Sequence, residues 1–138
     1  MKSFTTTRRV DFGDTDMAGI VHFANFFRFM ESAETEFLMS LDLSVTGRDA
    51  EGRWGLPRVA ASCDYYKPAR FMDVLTITVT VERIGTKSIT YRFDFSNQQG
   101  EILAVGRITA VYCRTTGFDR MESEEIPAEV RAKLEGSA

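Results

Sequence analysis

The chain has 138 residues, of which 43% are hydrophobic and 27% charged, and its formal net charge is −3. This length and balance predict a single domain, residues 1–138, that buries a core of its own. The acidic balance argues against nucleic-acid binding, which normally requires a basic surface, and no stretch approaches the roughly 20 apolar residues of a membrane span.

The N-terminal residues and the cysteines bear on the compartment. Residues 1–5 lack the apolar run of a signal peptide. Cys63 and Cys113 lie far apart in strand-like segments, and thiols in a chain without an export signal are normally reduced. We therefore expect a cytoplasmic protein without a disulfide.

The first half of the chain predicts one strand and one long helix. Residues 4–12 alternate loosely between apolar and polar side chains, which predicts a strand. From residue 24 to residue 41, apolar side chains recur at steps of three and four, which predicts a mostly buried helix. Its apolar positions are Phe26, Met30, Ala33, Phe37 and Leu41. Residues 43–55 contain Thr46-Gly47 and Glu51-Gly52 and are interpreted as an irregular connection.

The second half of the chain predicts antiparallel strands. Four segments are rich in β-branched and aromatic residues with period-2 alternation, namely 58–66, 73–84, 87–97 and 101–115. Because short breaks separate them, we expect hairpins that form a meander. Residues 127–135 predict a short final helix, with Pro127 at its start and Gly136 past its end. The element order predicts an α+β fold in which one antiparallel sheet curls around one buried helix.

The segment from Phe12 to Asn25 concentrates the residues that can do chemistry. It joins the predicted strand to the predicted helix and holds Asp14, Asp16, two glycines and the only histidine, His22. A carboxylate beside the backbone N–H groups of a helix N-terminus suits acyl chemistry. The carboxylate acts as base or nucleophile, and the N–H groups bind the developing oxyanion.

Other interpretations of this segment are structural or metal-binding. Asp16 alone is also typical of a helix cap or a turn, and Asp14 is expected to brace the loop. A calcium loop is excluded, because Ala18 and Asn25 stand where an oxygen ligand and a bidentate glutamate are needed. One histidine and two cysteines make a closed structural zinc site improbable. Gly-x-Ser-x-Gly, Gly-x-Gly-x-x-Gly and Walker motifs are absent from the sequence.

The motif Asp14-Thr15-Asp16-Met17-Ala18-Gly19-Ile20-Val21, followed by Ala24-Asn25 and the amphipathic helix, resembles the 4-hydroxybenzoyl-CoA thioesterase family of hot-dog-fold proteins. The resemblance continues at Pro57-Arg58-Val59, at Tyr65-Tyr66-Lys67-Pro68-Ala69 and at Asp73-Val74-Leu75, and covers nearly the whole chain. It implies a hot-dog fold, in which a curled antiparallel sheet wraps one long central helix. It also implies homo-oligomers, dimers or tetramers, that pair through their sheets and place active sites between two subunits.

The resemblance also implies roles for individual residues. The family's catalytic carboxylate matches Asp16, and its oxyanion-binding backbone N–H matches Phe23. Basic residues that bind CoA match Arg83 and Lys87, although both could be ordinary strand-end charges. A helix carboxylate that contacts the acyl group in some members matches Glu31.

The loop and the helix contain three further candidate residues. Gly19 lies inside the motif and is expected to contribute to substrate binding. His22 stands one position before the histidine of the bacterial acyl-CoA thioesterase subgroup, so a structural or pocket-lining role is favoured over that of a general base. Glu34 lies, like Glu31, at the edge of the helix's apolar arc. Without a functional role, both carboxylates are expected to be solvated or paired at a subunit contact.

The sequence therefore predicts an acyl-CoA thioesterase that converts an acyl-CoA, aromatic or aliphatic, into the free acid and CoA. Asp16 attacks the carbonyl or activates a water that does, and the residues alone do not separate these routes. No metal or redox cofactor is implied, and the expected partners are acyl-CoA and further copies of the chain. Two alternatives stay open, a hydratase or dehydratase of acyl thioesters and a non-catalytic acyl-CoA-binding or regulatory module.

Overall fold

The computed structural model describes residues 1–118 and 120–136. Within these residues it contains nine strands and two α-helices, and a 3-10 turn at Phe12–Asp14 precedes the first helix. In chain order the elements are β1 (Ser3–Arg9), α1 (Asn25–Ser40), β2 (Thr46–Asp49), β3 (Gly52–Gly55), β4 (Arg58–Tyr65), β5 (Val74–Ile84), β6 (Ser88–Ser96), β7 (Ile102–Val111), β8 (Cys113–Thr116), β9 (Arg120–Ser123) and α2 (Ala128–Glu135).

A five-stranded antiparallel sheet in the order β1-β5-β6-β7-β4 forms the body of the protein. Alternate side chains of β5 and β6 turn to one face and are buried there: Leu75, Ile77, Val79, Val81, Ile89, Tyr91, Phe93 and Phe95. Their period of two is that of a sheet with one covered face. The predicted strands at these positions are confirmed.

Helix α1 covers the inner face of this sheet. Its buried apolar residues recur at steps of three and four, as a core-facing helix requires: Phe26, Phe29, Met30, Ala33, Phe37 and Leu38. The sheet curls around this helix, so the predicted α+β architecture with one central helix is confirmed. The short final helix is also confirmed, and Gly136 ends it in the left-handed conformation at φ 80°.

The expected meander is wrong at β4. Only β5, β6 and β7 follow one another as neighbours, and β4 pairs with β7 at the far edge of the sheet. Both sides of β5 are already occupied, by β1 and by β6. The break after β4 is therefore not a hairpin turn but a crossing, along which the Ala69 carbonyl accepts the Val21 N–H at 2.8 Å.

A second antiparallel sheet, in the order β2-β3-β8-β9, was not predicted. Residues 43–55 are a hairpin of two short strands rather than an irregular connection. The predicted strand 101–115 divides at Tyr112, which stacks on Trp54 of β3 at 5.7 Å between ring centroids. The buried Arg114 of β8 then pairs with Asp49 of β2 through contacts of 2.6 and 3.1 Å. This ion pair between a buried arginine and an exposed aspartate links strands whose own apolar content is low.

Cys63 and Cys113 are both free thiols, in agreement with the expectation from the sequence. Neither of the helices described is long and apolar enough to cross a bilayer.

Candidate active site

Backbone hydrogen bonds fold the segment between β1 and α1 into a compact loop. The Asp16 N–H donates to the Ile20 carbonyl at 2.9 Å, and the Gly19 N–H donates to the Asp16 carbonyl at 3.0 Å. Gly19 has φ 79°, a conformation that other L-residues adopt only at a cost. The glycine is therefore required by the backbone of the loop, whatever else it contributes.

Asp14 braces this loop, as expected. Its Oδ2 accepts the Asp11 N–H at 2.8 Å, which closes the 3-10 turn. Its carbonyl accepts the His22 N–H at 2.9 Å and the Asn25 side-chain amide at 2.8 Å. Asp14 thus links the start of the loop to the start of α1.

The Asp16 side chain is exposed and only partly engaged. Its Oδ1 accepts the Ala18 N–H at 2.8 Å, which closes a local turn and fixes the carboxylate plane. Within the ranges 1–118 and 120–136, no partner is found for Oδ2. One oxygen is therefore held while the other is available for a ligand.

The Phe23 backbone N–H is a second available group. No acceptor for it occurs in the part of the chain that the structure describes. The carbonyl of the same peptide unit, from His22, accepts the Asn25 N–H at 2.9 Å. Such a bond polarises the peptide and strengthens the Phe23 N–H as a donor. The N-terminus of α1 adds positive potential at this point.

Asp16 and Phe23 line one pocket of about 480 Å³ between the loop and the end of β4. The other walls are mainly apolar and aromatic and include Phe26, Tyr65 and Ala69. A carboxylate and an unengaged N–H on the wall of an apolar pocket are the groups that acyl transfer needs, one to deliver or activate a nucleophile and one to bind an oxyanion.

Tyr65 belongs to this site, although sequence reasoning did not assign it a role. Its hydroxyl donates to the Phe23 carbonyl at 2.8 Å, and its ring lies edge-on to Phe26 with centroids 5.4 Å apart. Partial burial and the neighbouring Cys63 raise the pKa of Tyr65 to about 12. The only signal in the sequence was its place in the segment Tyr65-Tyr66-Lys67-Pro68-Ala69, which follows the family pattern.

His22 and Glu31 lie outside the walls of this pocket. The exposed His22 ring stacks on Phe23 at 4.8 Å between centroids, and its Nδ1 accepts the Ala24 N–H at 3.3 Å. These contacts give His22 a hydrogen-bonded position in the turn, and its role in substrate binding stays a prediction. Glu31 is exposed on α1, and its side chain has no partner among the residues with described positions.

Glu34 is neither solvated nor held at a subunit contact. It is fully buried, and its Oε1 accepts hydrogen bonds from the Arg58 guanidinium of β4 within the same chain. Burial raises the pKa of Glu34, and the Arg58 guanidinium opposes this shift. The expectation fails because the apolar arc of α1 carries Glu34 under the sheet, where only an internal cation can compensate for lost hydration.

Arg83 and Lys87 lie far from Asp16 in the single chain. Arg83 is near the end of β5, and Lys87 is in the turn that follows. The loop of Asp16 meets the opposite end of β5, where the Val10 N–H donates to the Asp73 carbonyl at 2.8 Å. At a rise of about 3.3 Å per residue, β5 runs for about 30 Å from Val74, at the end nearest the loop, to Arg83. One chain therefore does not bring them to the same pocket.

Comparison with known proteins identifies the family. The sequence model of the thioesterase-like superfamily matches residues 10–134. This protein belongs to the thioesterase-like superfamily. A 1,4-dihydroxy-2-naphthoyl-CoA hydrolase from Synechocystis sp. is 35% identical to it over 103 residues, which are 73% of this chain and 72% of the relative. A 4-hydroxybenzoyl-CoA thioesterase from Pseudomonas sp. is 29% identical over 134 residues, 93% of this chain and 94% of the relative.

A solved structure of a gentisyl-coenzyme A thioesterase is also similar. It matches this member of the thioesterase-like superfamily with a TM-score of 0.78 and 28% identity, covering 93% of this chain and 99% of that one. The family resemblance and the hot-dog fold predicted from the sequence are thereby confirmed.

Proposed function

We infer that this protein is an acyl-CoA thioesterase, and we propose that its substrate carries an aromatic acyl group. The observation that carries this conclusion is that Asp16 and Phe23 line one largely apolar pocket, while the Asp16 Oδ2 and the Phe23 N–H have no partner among the residues that the structure describes. The aromatic preference is supported by the pocket walls and by relatives named for the hydroxybenzoyl and dihydroxynaphthoyl thioesters they hydrolyse.

In the proposed reaction the thioester carbonyl lies against the turn before α1. Its oxygen accepts the Phe23 N–H, which stabilises the negative charge that develops as the carbonyl carbon is attacked. In one route Asp16 attacks that carbon, the C–S bond breaks and CoA leaves as the thiolate. Water then hydrolyses the acyl-aspartyl anhydride. In the other route Asp16 takes a proton from water, and the hydroxide adds to the carbonyl before the C–S bond breaks.

A thiol-release assay over a panel of thioesters tests the proposal. We would measure kcat/KM with 4-hydroxybenzoyl-CoA, 1,4-dihydroxy-2-naphthoyl-CoA and straight-chain acyl-CoAs, and follow enoyl-CoA hydration in parallel. We expect thiol release from all or most of these substrates, with the higher kcat/KM for the aromatic ones. Binding without thiol release would support the non-catalytic alternative, and hydration without thiol release would support the hydratase. Higher kcat/KM for the aliphatic substrates would refute the aromatic preference but not the thioesterase activity.

The proposed CoA contacts predict a selective effect of two basic residues. Arg83→Ala and Lys87→Ala are expected to raise KM for acyl-CoA several-fold and to leave KM for a short acyl thioester without the nucleotide unchanged. Lys and Arg bind phosphates, and the nucleotide is remote from the reacting carbon, so kcat changes little. Steady-state kinetics at low and moderate salt measures both effects, since salt weakens the same attraction in the wild type.

Arg53→Ala is the matched control for these two variants. Arg53 is an exposed arginine on β3, in the other sheet, and its loss should leave both KM values unchanged. Equal KM changes for the two substrate types would show that Arg83 and Lys87 do not contact the nucleotide.

We propose that the active form is at least a dimer, with a tetramer as the larger assembly. All but one of the eight residues of β4 are exposed, and β4 forms an edge of the sheet. An exposed edge strand is prone to pairing with another chain, and a symmetric dimer removes that edge. Light scattering at micromolar concentration is expected to give at least twice the chain mass. A monomer mass would contradict the assembly.

The cytoplasmic location stays a prediction.

A further test asks whether two chains share each site. Chains carrying Asp16→Asn are combined, by coexpression with two tags, with chains carrying Arg83→Ala and Lys87→Ala. If the CoA contacts come from the partner, the hybrid dimer contains one site with Asp16, Arg83 and Lys87 all intact, and an acyl-CoA activity with wild-type KM appears. If every site is built from one chain, only the high KM of the second variant is seen.

A further inference from the structure

We propose that Tyr65 is a positioning residue that fixes the direction of the oxyanion-binding N–H of Phe23. The inference rests on the proposed thioesterase function and adds to it a residue of β4 that is not itself expected to contact the reacting atoms.

The turn before α1 is held from both sides of Phe23. On one side, the His22 carbonyl accepts the Asn25 N–H at 2.9 Å. On the other, the Phe23 carbonyl accepts the Tyr65 hydroxyl at 2.8 Å and the Phe26 N–H at 3.3 Å. The bond from Tyr65 is the shorter of the two at the Phe23 carbonyl, and its length is near the optimum for a hydroxyl donor.

The start of α1 is held by backbone hydrogen bonds rather than by a side-chain cap at its N-cap position. Ala24 stands at the N-cap position and provides no side-chain cap. The N–H groups of the first three helix residues donate instead to the carbonyls three positions earlier, and the bond to the Phe23 carbonyl is the longest of them at 3.3 Å. The Tyr65 hydroxyl, at the end of β4, restrains the Phe23 carbonyl from outside the helix.

Tyr65 is well placed to act as a fixed support. It is the last residue of β4, and it pairs with Ala104 of β7. Its ring packs edge-on against the buried Phe26, with centroids 5.4 Å apart and an interplanar angle of 79°. Its pKa of about 12 keeps the hydroxyl protonated, and thus a donor, throughout the neutral pH range.

Loss of this hydroxyl is expected to affect the transition state more than the ground state. The Phe23 carbonyl would be left with the longer bond from Phe26, and the turn would sample more conformations. An oxyanion-binding N–H contributes only while it points at the position of the developing oxyanion. Substrate affinity, which depends on the whole pocket and on the nucleotide, should change much less.

The experiment compares Tyr65→Phe with Tyr112→Phe. Each change deletes one hydroxyl, and Tyr112 lies beside Trp54 in the second sheet, outside the pocket. We expect Tyr65→Phe to lower kcat about 3- to 10-fold, the usual range for one hydrogen bond, with KM within about twofold of wild type. We expect Tyr112→Phe to leave both constants unchanged. A kcat of Tyr65→Phe within about twofold of wild type, or a KM increase as large as the kcat decrease, would overturn the proposal.

A second measurement does not depend on activity. Amide NMR spectra of the two variants report the conformation of the turn directly. We expect the Phe23 and Ala24 amide signals to shift or broaden in Tyr65→Phe and to stay in place in Tyr112→Phe. Unchanged signals in Tyr65→Phe would refute the positioning role even if the wild type hydrolysed none of the thioesters. Inactivity of the wild type alone would instead refute the proposed function.

Discussion

Asp16→Asn is expected to lower kcat by at least about 100-fold while leaving the fold and substrate binding intact. The amide is a poor base and a poor nucleophile, so both proposed routes lose their reactive group. The local turn survives, because the asparagine Oδ1 can still accept the Ala18 N–H that Asp16 accepts at 2.8 Å. Thiol-release kinetics and binding of a non-hydrolysable thioether analogue measure the two effects separately.

Asp11→Asn is the matched control for this variant. Asp11 is an exposed carboxylate at the start of the same loop, paired with Arg9 at 3.1 Å and outside the Asp16 pocket defined above. It should keep most of the wild-type kcat. If Asp16→Asn retained more than about a tenth of the wild-type kcat, Asp16 would not be the catalytic carboxylate.

Gly106→Ala is expected to destabilise the protein by about 1–3 kcal/mol, a cost typical of overpacking a core. Gly106 lies in β7 beneath α1, and a methyl group there would overlap Met30 Sδ, lie 2.9 Å from Met30 Cε and 3.3 Å from the Ser62 carbonyl. Met30 is fully buried, so moving its thioether aside requires the core side chains around it to repack. Urea unfolding at neutral pH measures the free energy change.

Two variants check the cause of this destabilisation. Gly13→Ala introduces a methyl group with no atom within 4 Å and should change stability by less than about 0.5 kcal/mol. Met30→Ala combined with Gly106→Ala should cost less than the sum of the two single changes, because the shortened side chain makes room for the new methyl group. Additive costs would mean that contact with Met30 is not the reason.

The helix and the strands that were predicted from local sequence periodicity are present in the structure. The buried face of α1 and the alternation in β5 and β6 are periodicities of neighbouring residues, and the core needed those faces. The loop of the candidate site was also predictable from the sequence, because Asp16 and Phe23 are close in the chain, and both line one pocket. Gly136 ended α2 for a similarly local reason.

These local patterns could not predict which strands pair when the strands are far apart in the chain. Alternation shows that residues 58–66 form a strand, but nothing within that segment states that β4 pairs with β7 instead of β5. The strands β2 and β3 have four residues each, and their glycines and charges are typical of loops. They are strands because β8 and the buried Arg114 hold them in a sheet.

By itself, the sequence determined the fold class, the family and the loop that carries Asp16 and Phe23. The order and periodicity of the elements indicate the fold class, motifs along the chain indicate the family, and the loop is one contiguous segment. Only the tertiary structure decided that the Tyr65 hydroxyl reaches the Phe23 carbonyl, that the buried Glu34 pairs with Arg58, and that the Asp16 loop meets the end of β5 opposite Arg83. These are contacts and distances between residues far apart in the chain. They depend on strand order and on the path of α1 across the sheet, which local propensity does not specify.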